Sequence, residues 1–156
     1  MSETIARVQH FFAERGVTID IITFPQPVRT AQQAAEALET SVQHIVKSLV
    51  FEADGQPVLV LCGGDRRVDT HKLAAVCDTP QVRKANAALT KTATGFSIGG
   101  APLVAHVTAL PVFMDQALLD CETVYAAAGS AHALFAIAPQ TLEAISGARV
   151  VSVCEA

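Results

Sequence analysis

Apolar and polar positions alternate with two different periods along this chain, and the switches between them mark most of its elements. Ile5, Val8 and Phe12 recur at helical spacing, and Gly16 is a natural stop. Ile19 to Phe24 is a short β-rich run closed by Pro25 and Pro27. Thr30, followed three residues later by Gln33, fits a capping box and predicts a helix with Ala31, Ala34, Ala35 and Leu38 on its inner face. Ile45 to Phe51 reads as a strand, Asp54-Gly55 as a two-residue hairpin turn, and Pro57 to Cys62 as the return strand, ending at Gly63-Gly64.

Further along, Asp69 or Thr70 opens a predicted short helix through Val76. Val82 to Thr94 is expected to be helical, and Gly95 to Pro102 a glycine-rich loop. Val104 to Thr108, Val112 to Met114, Glu122 to Ala127 and Leu134 to Ala138 are candidate strands. Pro139 is placed like the first residue of a helix that Gly147 stops, and Val150 to Val153 reads as a last strand. Strands and helices are mixed without a regular βαβ alternation. The expected class is therefore α+β, a curled mixed sheet flanked by helices.

Composition bounds this picture. At roughly 150 residues per domain, the 156 residues are expected to form one domain, 1–156. Hydrophobic residues make up 51% and charged residues 17%, enough apolar side chain to offset chain entropy and exclude disorder. No apolar run approaches the roughly 18 to 20 residues that span a bilayer. The start, Met1-Ser2-Glu3-Thr4, carries an acid and no basic region, so no signal peptide is expected. The reading is a cytoplasmic protein whose four cysteines, Cys62, Cys77, Cys121 and Cys154, are free thiols, with Cys62 in the core.

The formal charge of −4 argues against a protein that simply coats nucleic acid. The charge is uneven, however. Arg66, Arg67, Lys72, Arg83, Lys84 and Lys91 share a stretch whose only acids are Asp69 and Asp78. That stretch is either a solvated face or a landing strip for a polyanion.

Lys47 is the most informative single residue. In a strand it shares a face with Leu49 and Phe51, while Val46, Ser48 and Val50 share the other, so it has apolar neighbours either way. Either it snorkels to water, or its ammonium is held in a pocket to bind an anionic or carbonyl oxygen. Ile98-Gly99-Gly100-Ala101-Pro102 is either an ordinary turn or a loop whose amides approach a ligand. His106 follows it in an apolar run, a core or surface histidine unless a substrate oxygen lies within reach. His132 lies in an expected turn, and His10, His44 and His71 have no visible partners. No dinucleotide fingerprint, phosphate loop, catalytic triad or metal-ligand spacing is legible.

Several segments, in order, resemble the YbaK/prolyl-tRNA synthetase-associated domain family, free-standing relatives of the editing domain inserted in bacterial prolyl-tRNA synthetase. They are Thr30-Ala31 with Ala34-Ala35; His44 to Phe51; Val58 to Leu61 with Gly64-Asp65; Val68-Asp69 with Lys72-Leu73-Ala74; Thr94-Gly95-Phe96; Gly99 to Pro102; and Val112 to Asp115. The resemblance runs from about residue 25 to 150. It implies a mixed β-sheet rolled into a partial barrel and flanked by helices. The implied activity is hydrolysis of the ester joining a wrong amino acid to tRNA.

By that resemblance Lys47 matches the family's functional lysine, and Gly99, Gly100, Ala101 and Pro102 match the substrate loop near the 3′-terminal adenosine. Thr30, His106, Gly129 and Ser130 follow as further substrate-binding candidates, and Arg66, Arg67, Lys72, Arg83, Lys84 and Lys91 as tRNA contacts. Two departures stand out. Leu103 occupies the position where the family loop has proline, and Ala127 to Ser130 lacks the polar residue and acid that some relatives carry there. The expectation is a trans-editing aminoacyl-tRNA hydrolase, a carboxylic ester hydrolase acting on tRNA misacylated with a small amino acid such as alanine, cysteine or serine. No metal or other cofactor is implied. The expected partners are the 3′ aminoacyl-adenosine end of misacylated tRNA and an aminoacyl-tRNA synthetase, with neither membrane nor DNA. The alternative, motivated by Leu103, is a non-catalytic module that binds tRNA or a synthetase.

Overall fold

A computed structural model describes residues 3–94 and 110–155. Within them the helices are α1 (Glu3–Glu14), α2 (Ala31–Leu38), α3 (Thr70–Cys77), α4 (Ala87–Thr94) and α5 (Pro139–Ser146). The strands are β1 (Ile21–Thr23), β2 (Val46–Ala53), β3 (Gln56–Gly63), β4 (Val82–Lys84), β5 (Val112–Asp115), β6 (Val124–Ser130), β7 (Ala133–Ile137) and β8 (Arg149–Val151). The α+β class expected from the sequence is the class observed. The strands divide between two sheets, neither closed. One is antiparallel in the order β1-β7-β6, and the other is mixed in the order β4-β2-β3-β5-β8. An isolated parallel bridge between Ile45 and Tyr125 links them. No helix among the described residues is long and apolar enough to cross a membrane.

The β2–β3 hairpin organises the larger sheet. Asp54 and Gly55 both take positive φ, 50° and 80°, the backbone a two-residue turn needs to match strand twist. That turn fixes the register Ala53–Gln56 through Val46–Gly63, which in turn sets Lys47 opposite Cys62. Because side chains alternate along a strand, β3 feeds two cores. Leu59 and Leu61 join Val8, Phe12, Met114 and Phe135 on one face, while Val58, Val60 and Cys62 join Phe51, Leu73 and Val153 on the other. The first core seats α1, whose Phe12 packs edge-on against Phe135 at 5.2 Å between ring centroids. A smaller cluster of Ala34, Ala35, Ile45 and Leu134 holds α2 against the antiparallel sheet.

Local signals place the helix ends. Thr30 Oγ1 accepts from the Gln33 amide at 3.0 Å, and Asp69 caps α3 by accepting from His71 and Lys72. Pro139 starts α5 and Gly147, at φ 68°, ends it. The helix expected over Val82 to Thr94 is corrected. Val82–Lys84 pairs with Phe51–Ala53 as an edge strand, and helix begins only at Ala87, where the Asn86 side chain accepts from the Leu89 amide. The open edge of β2 supplies hydrogen-bond partners that no local periodicity could reveal. The strand expected over Val104 to Thr108 and the glycine-rich loop lie outside the described residues.

Candidate functional site

A cavity of about 560 Å³ opens where α2, β2 and α4 converge. Its apolar walls include Val28, Ala31, Ala34, Ile45, Val46, Val50, Ala127 and Leu134. Polar side chains on it come from Thr30, Ser48 and Thr90, and cations from Arg29, Lys47 and Lys84; no Asp or Glu is among its described lining residues. The size and mixed lining are those of a small-molecule site.

Lys47 reaches this cavity because it sits in β2 before the stretch that β4 covers. Its ammonium donates to the Arg66 carbonyl, in the segment that follows β3. An ammonium carries three donors, and this contact uses one of them. Ser48 was not singled out from the sequence. Its hydroxyl is buried without a hydrogen-bond partner among the described residues, and the residue lines the cavity. An unmatched buried hydroxyl is costly, so it marks a position where a ligand's polar atom would be welcome. The only sequence signal was a hydroxyl between two valines on one strand face. Thr30 serves first as the cap of α2, and Gln33 Oε1 completes the cap by accepting from Arg29 N at 2.8 Å, one residue earlier than a standard capping box predicts.

The other candidates fall in several places. Gly129, at φ 97°, and Ser130 form the bulged end of β6, where Ser130 Oγ accepts from the His132 amide at 3.1 Å. They are not among the cavity's lining residues. Gly99, Gly100, Ala101, Pro102 and His106 lie outside the described residues. Arg66 pairs with buried Asp115 at 3.4 Å and Arg67 with Glu155 at 3.9 Å. Lys72 donates to the Cys154 carbonyl at 2.9 Å, and Arg83 pairs with Glu52 at 3.1 Å. Lys84 lines the cavity, and Lys91 is on the exposed side of α4. The basic stretch is thus not one strip, because its members project from several elements toward different partners.

A second, smaller cavity of about 190 Å³ lies beside Gly63, Asp65, Arg66, Asp120 and Cys121. Asp115, 1% exposed, accepts beside it from Ala117 N and Val153 N as well as pairing with Arg66. All four cysteines are free thiols. The Cys62 thiol is pushed well above its usual range, first by its hydrogen bond with Cys154 and then by burial. Cys154 is lowered by that same bond. No group of three His, Cys, Asp or Glu among the described residues is arranged to hold a metal ion.

Comparison with known proteins agrees with this architecture. A sequence profile of the aminoacyl-tRNA editing domain matches residues 25–145. The uncharacterized protein YwhH of Bacillus subtilis (strain 168) is 28% identical over 155 residues, covering 97% of this chain and 98% of that protein. The proline–tRNA ligase of Lactobacillus helveticus (strain DPC 4571) is 35% identical over 100 residues, 64% of this chain but only 18% of the ligase. A solved structure of a candidate trans-editing enzyme for prolyl tRNA synthetase is 38% identical and superposes with a TM-score of 0.94, over 100% of this chain and 99% of that one. The chain belongs to the aminoacyl-tRNA editing domain family.

Proposed function

We propose that this protein is a trans-editing deacylase that hydrolyses the ester of tRNA carrying a wrong, small amino acid. One observation carries the reading within the family. The cavity of about 560 Å³ has apolar walls, three cations and no described acid. Such a lining favours a ligand with a compact apolar part attached to a polyanion, which describes an aminoacylated RNA end.

The chemistry needs little from the protein. An aminoacyl ester is already activated, so the requirements are to hold it, position a water and stabilise the developing oxyanion. Lys47, steadied by the Arg66 carbonyl, orients the 3′ end through its remaining donors. Ser48 offers its unpartnered hydroxyl to a polar atom of the same ligand. By family resemblance, Gly99 to Pro102 form the substrate loop, and the Gly99 to Ala101 amides would supply the oxyanion contacts. Ala31, Ala34 and Ala127 leave room for a small side chain, while the branched residues around them set an upper size limit. Exclusion by size is the principle of a second sieve.

The test is a deacylation panel. Purified protein is incubated with tRNA mischarged with alanine, cysteine or serine, and ester loss is followed against buffer. At least one substrate is expected to lose its amino acid faster, and Lys47→Ala to slow that loss tenfold or more, the effect of one charged contact worth roughly 1.5 to 3 kcal/mol. Buffer-level rates with all three substrates overturn the reading. Saturable tRNA binding without cleavage would instead identify a binding module.

A further inference from the structure

We propose that Arg29 and Lys84 form a two-cation clamp for the sugar-phosphate backbone of an RNA 3′ strand at the mouth of the cavity. The proposal deepens the deacylase reading and rests on it for the identity of the ligand as RNA.

Several of the chain's cations are engaged within the protein. Arg66 pairs with Asp115, Arg67 with Glu155 and Arg83 with Glu52, and Lys72 donates to the Cys154 carbonyl. Arg29 and Lys84 differ. Their side chains are exposed, have no hydrogen bond or ion pair with any described residue, and line the same cavity. They come from distant parts of the chain, one just before α2 and the other at the end of β4. Their convergence is therefore not a local charge run. It is also found in a chain whose formal charge is −4, on a cavity with no acid among its described lining residues. Like charges brought together without counter-charges repel one another, and an anion removes that repulsion.

The spacing of Lys84 from Lys47 suits an extended anion rather than a single one. Lys84 pairs with Phe51, four residues along β2 from Lys47. At ~3.3 Å per residue the two positions are about 13 Å apart along the strand. Strand alternation puts Lys47, Leu49, Phe51 and Lys84 on one face of the sheet. Arg29 lies just before the first turn of α2, where Ala31 and Gln32 also line the cavity. The early amides of a helix have no intrahelical acceptor and carry the positive end of its dipole, which adds to the attraction for phosphate. A planar guanidinium grips phosphate oxygens in a fork, and an ammonium acts as a point charge. With Lys47 also on the lining, the backbone would cross between Arg29 and Lys84 while the terminal adenosine and its cargo enter.

The test uses the full chain and an uncharged acceptor-stem RNA hairpin ending in single-stranded CCA. Binding is measured by fluorescence anisotropy across a salt series. In the Arg29→Gln/Lys84→Gln double variant, affinity is expected to fall roughly tenfold, and the slope of log affinity against log salt to shrink by about 1.4, or ~0.7 for each lost single-strand phosphate contact. The charge-conserving Arg29→Lys/Lys84→Arg variant should keep the wild-type slope. Arg15→Gln, which removes a guanidinium that donates to the Phe11 carbonyl at the end of α1, should leave binding unchanged. An unaltered affinity and slope in the double variant overturns the clamp, as does a wild-type protein that does not bind the hairpin. Circular dichroism and thermal melting check folding, which these exposed side chains are not expected to affect. The two readings fail separately because the probe carries no ester. A confirmed clamp with no hydrolysis of any charged tRNA removes only the deacylase, and hydrolysis with an unchanged slope removes only the clamp.

Discussion

The two cavities flanking the β2–β3 hairpin hold charge in opposite ways. Beside the smaller one, Asp115 is almost fully buried; its oxygens accept from Ala117 N and Val153 N and form an ion pair with Arg66, whose buried Nε makes no hydrogen bond among the described residues. At the larger one, Arg29 and Lys84 have no partner among the described residues, and Ser48 has a hydroxyl with none. A buried charge is tolerated in a fold only when neighbours satisfy it, so the first arrangement joins the end of the chain to the sheet. Cations left in water at a cavity mouth contribute little to folding and remain available to a ligand. The adjacent glycines divide along the same line, since Gly63 lines the smaller cavity and Gly64 the larger.

The largest expected effect is on the satisfied side. Asp115→Ala leaves two backbone amides without their acceptor and Arg66 without its ion-pair partner, and should lower unfolding stability by about 2 to 4 kcal/mol, read from the urea midpoint. A loss near zero would erase the distinction between structural and available charge. Gly64→Ala should come next. An added Cβ would lie 2.6 Å from Ala31 Cβ and 2.7 Å from the Val42 carbonyl oxygen, both part of the framework around the larger cavity. The expected cost is about 1 to 3 kcal/mol, together with weaker RNA binding as α2 is pushed outward.

A smaller effect is expected at alkaline pH. Cys62 is raised by its bond to Cys154 and by burial, Cys77 by burial, and Cys121 by burial and the charges of Asp120 and Asp65. Thiols raised in the folded state stay protonated while their unfolded counterparts ionise. Their stabilisation is therefore complete below the usual thiol range and declines as pH rises through it, from roughly pH 8 to 10. Cys154, lowered in the fold, offsets part of that decline. Melting temperatures across this range should fall in the wild type and fall less in Cys62→Ala. The smallest effect sharpens the comparison from the other side, because Arg29→Gln and Lys84→Gln should each change stability by no more than about 0.5 kcal/mol.

Legibility in the sequence followed the range of the interactions. The Asp54-Gly55 turn, the Thr30 and Asp69 caps, the Pro139 start and the Gly147 stop were all readable, because each depends on groups within a few residues. Lys47 was readable too, as a charge in an apolar strand. Val82–Lys84 was misread as helix because its strand character depends on an edge of β2 some thirty residues earlier. Ser48 passed unnoticed because its missing partner is a property of the cavity, not of its neighbours in the chain.

The chain's own order of residues determined the α+β class, the hairpin register and the two-faced burial of β3, since turn geometry and side-chain alternation are local rules. Only the folded structure decided which charges are free. Glu155, Asp115 and Glu52 arrive from remote segments to engage Arg67, Arg66 and Arg83, whereas nothing described reaches Arg29 or Lys84. Electrostatic pairing depends on distance in space, and that distance is set by how the sheets and helices pack.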